Sequence, residues 1–412
     1  MKAAARASAP TLVALALLYT AQGVPYGFAS EYLPVVLRKA GYSLGFIAAI
    51  GWLQLPWQLK ILWSPIADAT SVRRRSRGIL LTLQVLLAVT LAFYALRSLN
   101  EAPWLWFALT PIAALFASTQ DIFVDALAVR SLAEKDRGLG NTAQVAGYRV
   151  GILAGGAGLL LLAADLGIRG AIFACAGLVL IASVGAFVLR DEHHGDAAPR
   201  SEDDRGRASL RQFAKHLVAK DVWPIAALAL TYKLGIHMAA VLIKPMLVDA
   251  KWSDRSIGLV AVTFGITGAL AGAATGGVVH RAMREGRALA VGGVLHGVVC
   301  VPLLVAYLSG LPHALTSVAI VAEHFVSGLG TTVLFAALMS ATRKADAALH
   351  YTLLTSMNSL AIGIGGTSGG FLADHAGKGV VLAIAAVVSL APLALIPRWH
   401  RAAAASAASR SS

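Results

Sequence analysis

The chain has 412 residues, 57% of them hydrophobic and 14% charged, with a formal net charge of +14 and a mean hydropathy of +0.70. A soluble domain of this size cannot bury so much apolar surface, so the composition excludes a soluble enzyme and indicates an integral membrane protein. The basic residues fall between apolar stretches, so they orient the chain in a bilayer and give no reason to expect a nucleic-acid partner.

Twelve apolar stretches follow in order, at 11–37, 43–66, 78–97, 104–127, 142–162, 170–189, 222–248, 257–280, 288–308, 314–341, 349–372 and 379–397. A hydrocarbon core takes about 20 apolar residues per helix, so each stretch predicts one crossing. Lys2 and Arg6 precede the first stretch as they would a secretory signal. The run continues to Leu37 without a small-residue cleavage site, however, and reads as a retained helix. With the N-terminus inside, the cytoplasmic segments hold 24 of the 35 Lys and Arg, the outer loops 7 and the stretches themselves 4. That asymmetry fits the positive-inside rule and places both termini in the cytoplasm of a multi-pass bacterial inner-membrane protein. The basic loops then lie against anionic headgroups of the lipid bilayer. Cys175 and Cys300 are separated inside stretches six and nine and form neither a disulfide framework nor a metal site.

The polar segment 190–221 reads as a linker with one amphipathic piece, Leu210 to Val218. Its adjacent His193 and His194 read as solvated side chains rather than a metal pair. The expected organisation is therefore a six-helix bundle over 1–189, the linker, and a second six-helix bundle over 222–412. The halves repeat at an offset of roughly 210 residues: Gly155-Gly156 with Ala164-Asp165-Leu166-Gly167 answers Gly365-Gly366 with Ala373-Asp374, and Leu33-Pro34 answers Lys244-Pro245. Glycines along stretches five and eleven predict close helix approach, with a sliding contact between halves favoured over static packing.

Ionisable residues within membrane helices cost about 2.5–3.5 kcal/mol each on insertion scales and usually mark function or pair with one another. Here Glu31, Asp121, Asp125 and Glu323 face Lys60, Arg149, Lys233 and Lys244. Lys60, Asp121, Asp125 and Arg149 share the cytoplasmic half, and the two aspartates, four apart, share a helical face. They read either as an ion-pair latch on the inner gate or as solute ligands with a proton site. Lys233 has Glu323 as candidate counter-ion, Glu323-His324 is the best proton-coupling candidate, and Glu31 with Lys244 is an outer-gate candidate by repeat symmetry.

These features resemble the major facilitator superfamily: two six-helix halves joined by a cytoplasmic loop, with the solute held between them. The turn from Gly276-Gly277 through Arg281 to Gly286-Arg287 is similar to its Gly-rich basic loop, with His280 at the usual acidic position. The second-to-third turn keeps Asp68 and the arginines, with Ser64-Pro65 where glycine is usual. Within the superfamily, the chain resembles the branch of AmpG-type muropeptide permeases, acetyl-coenzyme A transporters and RhtX/FptX-type siderophore permeases. The residues that carry this are Gln22-Gly23-Val24-Pro25, Leu55-Pro56-Trp57 with Lys60, Gln120-Asp121 with Asp125, and Gly140-Asn141 with Gln144, Tyr148 and Arg149. In the second half they are Tyr232-Lys233, Lys244-Pro245 with Asp249, and Tyr351 with Thr355-Ser356.

The resemblance implies a secondary transporter importing a bulky polar anion, a siderophore first, since twelve helices leave no room for the two extra ones often found in AmpG-type proteins. A muropeptide or acetyl-coenzyme A is the alternative solute. The implied solute ligands are Gln22, Trp57, Lys60, Tyr148, Arg149, Lys233 and Lys244; gating or proton coupling falls to Glu31, Asp68, Asp121, Asp125, Glu323 and His324. The chain lacks a GxxxxGK[ST] loop, so a proton gradient is the expected energy source, with the chain working as a monomer without cofactor or metal. An exporter shares the fold, and a membrane-embedded enzyme would need converging catalytic groups that the sequence does not offer.

Overall fold

The structure, a computed structural model, describes residues 9–63, 75–131, 137–188, 223–341 and 347–397. Asp68 and the linker segment 190–221 lie outside them. The described residues form α1 (Ala9–Lys39), α2 (Leu44–Leu59), α3 (Ser76–Phe93), α5 (Ala143–Ala163, helical from Arg137), α6 (Asp165–Val188), α7 (Trp223–Asp249), α8 (Asp254–Ala282), α9 (Glu285–Leu308) and α12 (Lys378–Ala394). To these are added α4 (Pro103–Ser131), α10 (His313–Ala341) and α11 (Ala347–Ala376). A helix stands at each of the twelve expected stretches. Nine helices among the described residues are long and apolar enough by themselves to cross a membrane. Large apolar side chains such as Val85, Ile181, Val298 and Leu308 are exposed, as lipid-facing residues are.

Local sequence decides where these helices break. Gly167 (φ +69°) separates α5 from α6 and Gly377 (φ +86°) separates α11 from α12, the same place in each repeat. Both sit in the left-handed region, where a side chain is strained. α2 is not one continuous α-helix: 3-10 turns at Gly51–Gln54 and Lys60–Leu62 flank the α-turn Leu55–Leu59. Pro56 donates no N–H and crowds the carbonyl four residues back, so the preceding turn tightens. In α7 the helix pauses at Tyr232 and Lys233 before resuming at Leu234.

The chain forms two compact units. One contains the described residues of 9–41, 50–188 and 253–262; the other contains 42–49, 223–252 and 263–397. The entry to α2 thus belongs to the second unit and the entry to α8 to the first. In the first unit α1 packs on α4 and α5, burying Leu15, Leu18 and Tyr19 against Leu80, Phe123 and Val124. In the second, Tyr232, Leu289, Val333, Leu338 and Leu354 make the corresponding core.

The glycines of α5 and α11 serve packing inside each unit. A Cβ on Gly155 would lie 2.0 Å from the Val24 carbonyl oxygen of α1, and one on Gly365 would lie 2.3 Å from that of Leu234 in α7. These contacts are backbone against backbone, and each lies inside one unit. Two acidic residues fix the segments that cross over. Asp254 pairs with Lys39 in the first unit. In the second, Asp374 accepts the N–H groups of Leu44 (2.8 Å) and Gly45 (2.7 Å), adding to the Ser43 hydroxyl, which accepts the Phe46 N–H at 3.2 Å, so the first free N–H groups of α2 are all taken up.

Candidate solute-binding site

In the first unit, α1, α2 and α5 bring three rings together. Tyr26 lies edge-on to Trp57 with centroids 6.5 Å apart; Tyr148 is 5.8 Å from Tyr26 and 6.1 Å from Trp57. The Trp57 indole N–H is buried and has no hydrogen-bond partner among the described residues. Lys60, one turn on from Trp57, holds its ammonium 5.8 Å from that ring and pairs with Asp121 of α4. One turn further along α4, Asp125 accepts the Tyr19 hydroxyl proton at 2.6 Å and a long contact from the Gln144 amide at 3.5 Å. Arg149 is half-buried, within electrostatic reach of Tyr26 and Tyr148. It has no ion-pair partner among the described residues. The four charges expected at one depth are therefore arranged as one pair, one hydrogen-bonded carboxylate and one free guanidinium.

Gln22, on the same helix as Tyr19 and Tyr26, is fully buried with both amide atoms unpartnered. Glu31 lies in a π-turn, Phe28–Tyr32, that packs on a second π-turn, Ala154–Gly158. The missing Cβ of Gly156 makes room there, since it would meet the Glu31 Cβ at 2.5 Å. Such turns widen a helix by one residue per turn and recur at functional positions.

In the second unit the break at Lys233 aims its ammonium at α10. It donates to Thr331 Oγ1 at 2.6 Å and to Ser327 Oγ at 3.2 Å. His296 Nδ1 lies 3.2 Å from the Tyr232 carbonyl oxygen, and the Tyr232 hydroxyl donates to the Leu289 carbonyl at 2.8 Å. On α10, His324 Nδ1 sits 2.9 Å from both the Ile320 carbonyl and Glu323 Oε2, so that nitrogen carries the proton. Glu323 is 2% exposed, which explains why it needs this neighbour. Lys244 lies within electrostatic reach of His324, and His237 is close to Lys233, His296 and His324.

Sequence reading missed Tyr26, which belongs to no motif and joins the ring cluster through contacts of α1 with both α2 and α5. It also missed Ser327 and Thr331, whose one signal is a polar pair four apart on α10. The role of Asp374 in capping α2 had no local signal at all.

A twelve-helix membrane protein with charged and aromatic side chains directed into its helix bundles is a solute transporter rather than an enzyme. The chain matches the Major Facilitator Superfamily over residues 11–309 and belongs to that family. It is 28% identical over 373 residues to the anhydromuropeptide permease of Escherichia coli K12, a match covering 89% of this chain and 75% of the relative. It is 23% identical over 355 residues to the putative transporter AmpG 4 of Rickettsia conorii, covering 84% and 85%. Among solved structures it is similar to a POT family transporter in complex with 5-aminolevulinic acid (TM-score 0.71, 13% identity, 94% and 95% covered). It is also similar to the inward-open xylose transporter XylE of E. coli (TM-score 0.62, 11% identity, 95% and 94% covered). The structural likenesses concern the fold alone. The relatives are AmpG-like; the expected closeness to siderophore permeases finds no support among them.

Proposed function

We propose that the chain is a bacterial inner-membrane permease, both termini cytoplasmic, that imports a bulky amphipathic anion of the anhydromuropeptide type by proton-coupled alternating access. The observation that carries this reading is the first-unit cluster: three aromatic rings with, among the described residues, an unpartnered indole N–H and a guanidinium that pairs with no carboxylate. Aromatic faces stack on the apolar face of a sugar ring, and a guanidinium takes a carboxylate in a bidentate grip. An anhydromuropeptide carries both groups. A buried donor without a partner costs stability unless a ligand satisfies it, which fits Trp57 to a binding role.

Arg149, Trp57, Tyr26 and Tyr148 are assigned to the solute in this reading. Lys60 and Asp121 latch the inner gate, with Asp68 and the neighbouring arginines, and Asp125 or Glu323 with His324 carries the coupling proton. Lys233 and Lys244 add positive potential for an anionic solute. The 28% identity to an anhydromuropeptide permease supports the solute class.

The test is transport by Trp57→Ala and Arg149→Gln in proteoliposomes. The proposal expects each to raise the KM for labelled anhydromuropeptide about tenfold or more, the worth of one lost charged or stacking contact. Unchanged KM in both variants, with folded protein, would remove the cluster from the solute pathway.

A further inference from the structure

The first unit has a second concave site, at the end where α3 turns into α4 and α5 into α6. The cavity holds about 480 Å³ and is lined by Val36, Ala95, Trp106 and Leu166 together with Arg97 and Arg169. Its volume is in the range of ligand sites, roughly 300–1,000 Å³. Its position is that of a headgroup: it sits where three helices end, and Trp104 on the next turn is 70% exposed, as an interfacial tryptophan is. Around it Phe93, Leu96, Leu166 and Ile168 are all exposed, so the apolar wall continues into the surface that faces acyl chains.

Both arginines are exposed, and the backbone that carries them is held in place. The Trp106 indole donates to the Arg97 carbonyl oxygen at 3.0 Å, and Gly167 with φ +69° sets the chain direction two residues before Arg169. Neither guanidinium has an ion-pair partner among the described residues, whereas Lys39, at the end of neighbouring α1, holds Asp254. Glu101, the acid of the same turn as Arg97, directs its carboxylate at the Ser98 N–H, 3.1 Å away. Two cations beside an apolar wall open to lipid lack an anion that carries its own hydrocarbon.

The geometry points to a binding site for an anionic phospholipid, with its phosphate at Arg97 and Arg169 and one acyl chain along Trp106 and Leu166. Guanidinium groups take phosphate oxygens bidentately. A free soluble anion would leave the apolar wall uncovered, and a zwitterionic choline lipid would add a cation beside two others. This site is independent of the solute reading.

The test measures thermal unfolding of the purified full-length protein in a neutral detergent. Three additions are compared: phosphatidylglycerol, phosphatidylcholine and inorganic phosphate. Phosphatidylglycerol is expected to raise the midpoint most and inorganic phosphate not at all. Arg97→Gln/Arg169→Gln should lose most of that rise, with phosphatidylglycerol affinity by native mass spectrometry falling about tenfold or more. Arg284→Gln/Arg287→Gln, which removes basic charge elsewhere, should keep it. If the arginine variant does not fold, Ala95→Phe, which fills the cavity and leaves both charges, must lose the same rise. Equal rises with phosphatidylcholine, a rise with phosphate alone, or an undiminished rise in R97Q/R169Q or in A95F would each overturn the proposal.

Discussion

Asp121 and Asp125 lie one turn apart on α4, yet their surroundings differ: Asp121 pairs with Lys60, while Asp125 takes the Tyr19 hydroxyl and the Gln144 amide. Lys60 is half-buried, so removing Asp121 or Lys60 leaves the other charge only partly screened, at a cost of about 1–3 kcal/mol. Asp121→Asn alone should therefore destabilise the protein and stop uptake, while Lys60→Met/Asp121→Asn restores thermal stability and part of the uptake. A double variant no better than the single one would show that Lys60 touches the solute rather than serving only as a latch. Tyr19→Phe removes one hydrogen bond to a carboxylate and should cost about 1.5–3 kcal/mol in detergent unfolding. The individual charges were legible in the sequence because an ionisable residue in an apolar run stands out. Lys60 was among the expected partners of Asp121, but the partners of Asp125 were not legible, since Tyr19, Gln144 and Asp125 come from three different helices.

At the scale of helices, the count and order follow from hydropathy alone, because each crossing repeats the same physical demand. The irregularities do not. Pro56 announces a break in α2, but the π-turns at Phe28–Tyr32 and Ala154–Gly158 have no local signature and arise where α1 and α5 meet. The close glycine contacts decide that meeting. Gly155→Ala would place a Cβ 2.0 Å from a carbonyl oxygen; backbone must shift, and a loss of about 3 kcal/mol in unfolding free energy is expected. Gly177 in α6 is a helical glycine whose Cβ would meet nothing within 4 Å. Gly177→Ala should be neutral or stabilising by up to about 1 kcal/mol. Equal effects of the two substitutions would contradict the assignment of Gly155 to a backbone contact.

For the molecule as a whole, the sequence points to a duplication through Asp165-Leu166-Gly167 and Asp374-His375-Ala376-Gly377, and a positive-φ glycine ends a helix at each. Which unit each helix end joins was not visible. Residues 42–49 and 253–262 leave the half to which chain order assigns them, a choice made by distant contacts such as Asp374 with Leu44. Cations and aromatic residues in membrane helices point, from the sequence, to a bulky, polar and anionic solute as the proposed cargo. Its identity depends on ring geometry that only the fold assembles. The most direct measurement is accumulation of labelled anhydromuropeptide in proteoliposomes with and without an inward proton gradient, against a ferric siderophore. The account predicts gradient-driven accumulation of the muropeptide, lost in Arg149→Gln. Accumulation of the siderophore alone, or muropeptide flux indifferent to the gradient, would contradict it.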